Sequence, residues 1–145
     1  MTGIDTNLLL AWLNSAHPWH PAARPWFESR TQSIGLVLCE LVLTELYGLL
    51  RNPKLWTRPL TAPEAVALIQ RLREHPHWEL IDYPGGLMAD VWHHAAAPDF
   101  AYRRIYGARL ALSLRHHGVT DFATANVKDF GDFGFTRVWN PLLPV

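Results

Sequence analysis

Short apolar segments alternate with amphipathic helical runs along this chain, and that alternation most constrains its fold. Ile4 opens a very short apolar segment that ends at Asp5; Thr6 or Asn7 then stands where a helix cap belongs, and Leu8, Leu9, Leu10 and Leu13 continue the helix until His17-Pro18 breaks it. Ala22 to Arg30 reads as a second helix carrying Trp26 and Phe27, and Ile34 to Leu38 as a compact strand. Glu40 to Leu50 is a helix, with Leu43, Leu46, Tyr47 and Leu50 at helical spacing and Asn52-Pro53 as its stop. Thr61-Ala62-Pro63-Glu64 is a capping box that starts a helix with Ala65, Leu68, Ile69 and Leu72 on one face. Trp78 to Ile81 predicts a strand, and Gly86 to Ala97 a helix ended by Pro98. The stretch from Ile105 runs helically to a His116-His117-Gly118 stop, and strands follow at Asp121 to Ala123 and Arg137 to Trp139. Strands interleaved with helices predict an α/β fold with a parallel sheet covered on both faces. In such sheets function gathers beyond the carboxyl ends of the strands.

At 145 residues the chain suits one domain with one core, and its 49% hydrophobic content supports a packed globule. The formal net charge is zero, so contact with nucleic acid requires a local basic patch. A single cysteine, Cys39, excludes an internal disulfide framework and a cysteine-based zinc cluster. The longest apolar run near the start, Leu8 to Leu13, is far short of a membrane span and has no basic segment before it. The expected setting is the cytoplasm.

Three acids stand out. Asp5 ends the first strand, Glu45 interrupts the apolar helix among Leu43, Leu46 and Leu49, and Asp129 follows the strand at 121–123. Each alone reads more readily as a solvated loop residue, a helix cap or a surface residue. Together, at comparable places in an α/β sheet, they suggest clustered carboxylates, which repel one another unless a hard cation is present. Oxygen-only ligands suit Mg²⁺ or Mn²⁺. A phosphatase using Asp5 as nucleophile would want a second acid two residues on, but position 7 is Asn.

Several blocks resemble the PIN domain, and more narrowly the VapC toxins of bacterial toxin–antitoxin modules. They are Ile4-Asp5-Thr6-Asn7, Leu43-Thr44-Glu45-Leu46-Tyr47 with Leu50-Arg51-Asn52-Pro53, Arg104-Ile105-Tyr106 with Ala108-Arg109-Leu110-Ala111, and His117-Gly118-Val119-Thr120 leading to Thr124-Ala125-Asn126-Val127-Lys128-Asp129-Phe130. The resemblance spans Gly3 to Pro141. It implies a PIN-like three-layer α/β/α sandwich, a Mg²⁺-dependent endoribonuclease, a homodimer, and a cognate VapB-like antitoxin that inserts a segment into the active-site groove. Carried over by position, it makes Asp5, Glu45 and Asp129 members of the acidic, metal-holding site, with Asn7, Thr124 and Asn126 in support.

One position departs from the family pattern. Between Arg-Ile-aromatic and Ala-Arg-Leu-Ala the family carries an aspartate that helps hold the metal; here the residue is Gly107. A glycine inside a helix costs roughly 1 kcal/mol against alanine, so it needs a reason: close helix packing is one, a lost carboxylate the other. The resemblance favours the second and implies impaired catalysis, or a catalytically inactive module that still binds antitoxin or RNA.

Arg103, Arg104, Arg109 and Arg115 lie within thirteen residues with no acid between them. They form a candidate phosphate-contacting face, with Arg103 and Arg104 the expected RNA contacts and Arg109 a partner for an active-site acid. The eight histidines show no His-x-x-x-His pairing with a nearby acid. Of the seven tryptophans, Trp12, Trp26 and Trp92 read as core residues on helices, while Trp19 and Trp56 lie in loops near prolines, where they suit partner contact.

Overall fold

The computed structural model describes residues 1–144. Its five strands are β1 (Thr2–Ile4), β2 (Leu36–Cys39), β3 (Glu79–Ile81), β4 (Asp121–Ala123) and β5 (Arg137–Trp139). Its six helices are α1 (Thr6–Leu13), α2 (His20–Glu28), α3 (Glu40–Leu50), α4 (Ala62–Arg73), α5 (Leu87–Ala95) and α6 (Arg104–His116), and a 3₁₀ turn spans Val127–Asp129. The strands lie in the order β3-β2-β1-β4-β5 and every pairing is parallel.

The order explains the layers. From β1 the chain steps outward to β2 and β3, then crosses back past β1 to reach β4 and β5. Right-handed crossovers therefore place α1 to α4 on one face and α5 and α6 on the other. The direction of winding reverses between β1 and β4, and there a crevice opens beyond the carboxyl ends of the strands. Asp5 and Thr124 are the residues that immediately follow these two strands.

The core fills the layers from both sides. Ile4, Val37, Leu38 and Phe122 from the sheet, Leu8 and Leu9 from α1, Leu43 and Leu46 from α3, and Ala111 and Leu114 from α6 are all essentially inaccessible. Trp12 stacks on Phe27 at a ring separation of 4.6 Å, and Trp26 meets the same ring edge-on at 4.9 Å. Trp92 does not join them: it is 60% exposed, because Leu87 and Val91 take the inward face of α5. Trp56 turns inward and donates its indole N–H to the Leu49 carbonyl, so it serves the fold, whereas Trp19 remains exposed.

The start and stop signals act as expected at α4, where Thr61 and Glu64 form the reciprocal capping box. They differ at α1. The N-cap is Asp5, in extended conformation with its carboxylate accepting from the Thr6 N–H, so neither Thr6 nor Asn7 caps this helix. At the end of α6, Gly118 has φ +76°, and the Val119 N–H reaches back to the Leu114 carbonyl at 3.1 Å. Gly118→Ala forces a side chain into the left-handed region and should cost about 1–2 kcal/mol. A lower thermal midpoint with unchanged spectroscopic helix content is the expected reading. No helix among the described residues is long and apolar enough to cross a membrane.

Candidate active site

The crevice at the switch point is a cleft of about 680 Å³. Asp5 and Asn7 enter it from the end of β1, Glu45 from α3, and Asn126 and Asp129 from the segment after β4. Arg103, Arg104, Gly107 and Arg109 approach from the start of α6. Residues distant in sequence are thus brought to one place, and position 107 faces them.

Asp5 is the centre of a hydrogen-bond network that joins the two central strands. Its Oδ1 accepts from the Thr6 N–H at 2.8 Å, and its Oδ2 accepts from the Thr124 hydroxyl at 2.6 Å and from Asn7 Nδ2 at 3.3 Å. Thr124 Oγ1 accepts in turn from the Asn126 N–H, and Asn7 Oδ1 from the Ala125 N–H. The buried Thr124 and the half-buried Asn7 therefore orient the carboxylate and lock the loop after β4 to the start of α1. Burial pushes the Asp5 carboxyl above its ordinary value, and the bonds from Thr124, Thr6 and Asn7 only partly offset this.

Glu45 is exposed at the mouth of the cleft, yet protein crowds its carboxyl group. Desolvation raises its pKa first, and the negative charge of Asp5 raises it further. The Thr6 hydroxyl donates to Glu45 Oε2 at 3.2 Å and so bridges the two acids through one residue. Among the described residues no basic side chain forms an ion pair with either.

Two neighbouring acids with no ion-pair partner among the described residues are a donor set that fits a hard divalent cation. The expected cluster of three is looser than the sequence suggests. Among the described residues no three His, Cys, Asp or Glu side chains close on one point as metal ligands. Asp129 lines the same cleft from the 3₁₀ turn, and Gly107 brings no oxygen. A cation held here would keep much of its water.

Gly107 is not an empty space. A Cβ added there would stand 3.2 Å from both Cε1 and Cζ of Phe130. The Phe130 ring is buried and packs edge-on against Phe122 at 4.8 Å. An aromatic ring thus crowds the place where a side chain at 107 would begin, a long-range contact that no helical pattern reveals.

The arginines divide differently from expectation. Arg104 Nη2 donates to Asp132 Oδ1 at 2.6 Å and to the Asp129 carbonyl at 2.9 Å, so it braces the loop that carries Asp129. Arg109 forms no ion pair with an acid among the described residues. Its guanidinium lies 5.7 Å from the Tyr83 ring, and its buried Nε has no acceptor. Arg103 lies 5.4 Å from the Tyr102 ring and is likewise free of acids. Cys39 is buried beneath the start of α3, and burial pushes its thiol up to about 11, which leaves it unreactive.

A switch-point cleft lined by acids on an all-parallel five-stranded sheet, with helices on both faces, is the α/β/α architecture that the resemblance to PIN domains implies. No protein-family model matches the chain. It is 49% identical over 142 residues to Ribonuclease VapC24 of Mycobacterium tuberculosis, in strains H37Rv and CDC 1551, covering 98% of this chain and 97% of the relative. The chain belongs to the VapC family.

Solved structures share the fold at low identity. Mycobacterium tuberculosis VapC20, described as a sarcin-ricin loop cleaving toxin, superposes with a TM-score of 0.68 at 17% identity over 92% of each chain. FitAB bound to an IR36 DNA fragment gives 0.64 at 15% identity, covering 100% of this chain and 98% of that one. FitAcB from Neisseria gonorrhoeae gives 0.61 at 18% identity, covering 97% and 98%.

Proposed function

We propose that this chain is a Mg²⁺- or Mn²⁺-dependent endoribonuclease toxin of low activity, with Asp5, Glu45 and Asp129 as its acids. The observation that carries the reading is Asp5, a buried carboxylate held by three donors beside Glu45, with no ion pair to either acid among the described residues. Kinship with a protein named a ribonuclease supports the reaction class. A bound divalent ion would supply an activated water and stabilise charge on the phosphate. Asp5 and Glu45 would hold the ion, Thr124 and Asn7 keep Asp5 aimed, and Asn126 and Asp129 line the far side of the cleft. Arg103 and Arg109 provide positive charge for the RNA backbone. The low activity follows from Gly107, which leaves the ion one oxygen short.

The same reading makes a VapB-like antitoxin the partner that covers the cleft, with a homodimer as the assembled form and the cytoplasm as its setting. One observation favours the second reading, an inactive module that still binds antitoxin or RNA: the Phe130 ring stands over position 107. The test is RNA cleavage by the purified chain with Mg²⁺, with chelator, and after Glu45→Gln. Slow cleavage that chelator abolishes and Glu45→Gln lowers at least about tenfold is expected. Cleavage indifferent to chelator would overturn the metal reading, and RNA binding with no cleavage would select the inactive module.

A further inference from the structure

The segment that leads into α6, and the first turn of that helix, present large rings to solvent. Tyr102 is 78% exposed and Tyr106 72%, and Tyr83, in the loop after β3, is 42% exposed. None of the three is needed to close the core. They are interleaved with Arg103 and Arg109, two arginines that form no ion pair with an acid among the described residues. Arg103, Tyr106 and Arg109 follow at three-residue spacing and so share one side of the helix. Arg103 Nε donates to the Tyr102 hydroxyl at 2.9 Å, and the Arg109 guanidinium lies over Tyr83. Tyr106, Arg103 and Arg109 line the acid cleft, while Tyr83 lines an adjoining hollow of about 510 Å³ that shares Leu41 and Thr44 with it.

Rings alternating with guanidinium groups are what an unpaired nucleic-acid strand requires: a flat face for each base and a positive charge for each phosphate. Arg109 lines the cleft and forms no ion pair among the described residues, which leaves its guanidinium charge available to a phosphate. Rings and guanidinium groups also serve protein interfaces; here Tyr106, Arg103 and Arg109 line the cleft that carries the acids, which favours RNA.

We propose that Tyr102, Tyr106 and Tyr83, with Arg103 and Arg109, form a base-stacking track that leads an unpaired RNA strand across the cleft. This rests on the nuclease reading and adds the feature by which substrate is held. Bases paired in a duplex are not available to the rings, so the track selects loops and single strands.

The test uses the full chain, with divalent ions chelated so that cleavage does not intervene. Fluorescence anisotropy follows a labelled single-stranded RNA of roughly twelve nucleotides, the same strand made abasic, and its duplex. The native chain is expected to bind the base-bearing strand at least about tenfold more tightly than either of the others. Tyr102→Ala and Tyr106→Ala should each weaken that binding about five- to tenfold without changing the abasic strand, and Tyr→Phe at either position should restore it. Both side chains are exposed, so the variants keep the fold. Equal binding of base-bearing and abasic strands, or equal losses for both, would overturn the track and leave the nuclease reading standing. No RNA binding at all would overturn both. Tyrosine variants that bind RNA normally but no longer capture the antitoxin would assign the face to protein and overturn the track.

Discussion

Gly107→Asp is expected to raise Mg²⁺-dependent RNA cleavage by about 10²–10³-fold, the equivalent of the 2.7–4 kcal/mol that one well-placed electrostatic contact commonly supplies. Position 107 faces the cleft that holds Asp5, Glu45 and Asp129, so a carboxylate there would add oxygen where the acid set is incomplete. Replacing a glycine within α6 also favours the helix slightly. The obstacle is local. The new Cβ would stand 3.2 Å from the Phe130 ring, which is tighter than ordinary contact and requires the ring to give by a few tenths of an ångström. That ring is wedged against Phe122 and Phe133, so it yields reluctantly. Gly107→Asp combined with Phe130→Leu removes the obstacle, for a packing loss of about 1–1.5 kcal/mol, and should show the full gain if the single variant shows part of it. Mg²⁺ titration of the cleavage rate should shift to lower concentration in parallel. If neither variant exceeds the parent at saturating Mg²⁺, the missing oxygen at 107 is not what limits the enzyme.

Much of this architecture is legible in the residues because punctuation is strong where elements meet. Glu40 to Leu50, Asp121 to Ala123 and Arg137 to Trp139 appear where the sequence predicts them, bounded by Asn52-Pro53, Gly118 and the turn before residue 137. The α5 helix stops at Ala95, short of the expected Ala97, because the residue before Pro98 is disfavoured in helical conformation. Ile34 stays outside β2 and is exposed, since an apolar run does not by itself reveal which end leaves the sheet. The acids could be found because each follows a strand or breaks an apolar helix face. Their surroundings could not be. The Phe130 ring beside Gly107, the engagement of Arg104 by Asp132 and the freedom of Arg109 depend on side chains that meet only after the chain has folded. The tyrosines carry no signal of their own in the sequence; only their exposure beside unpaired arginines distinguishes them from core residues.

Asp5→Asn should act in two opposite directions. In the Gly107→Asp background, cleavage should fall by about 10²–10³-fold, because an amide replaces the most buried charge in the site and holds a divalent ion poorly. Native stability at neutral pH should rise. Burial raises the Asp5 pKa above its ordinary value. Below the unfolded-state value the carboxyl is neutral in both states and carries no penalty. As pH climbs through the raised native value, the folded state must ionise a desolvated group that the unfolded chain ionises freely, and stability is lost across that window. Asparagine retains an oxygen for the Thr6 N–H, so the cap of α1 survives, while its Nδ2 no longer accepts from Thr124 and Asn7, which offsets part of the gain from removing the desolvated charge. The expected gain is about 1 kcal/mol at pH 7, roughly three or four degrees in thermal midpoint for a chain of this size. The loss of stability between acid and neutral pH should flatten with it. Mg²⁺ closes the argument, because a ligand that binds only the folded state raises its midpoint. The parent should gain from added Mg²⁺ and Asp5→Asn should not. A variant that melts lower than the parent at every pH, with an unchanged response to Mg²⁺, would reduce Asp5 to a helix cap and remove the cation from the site.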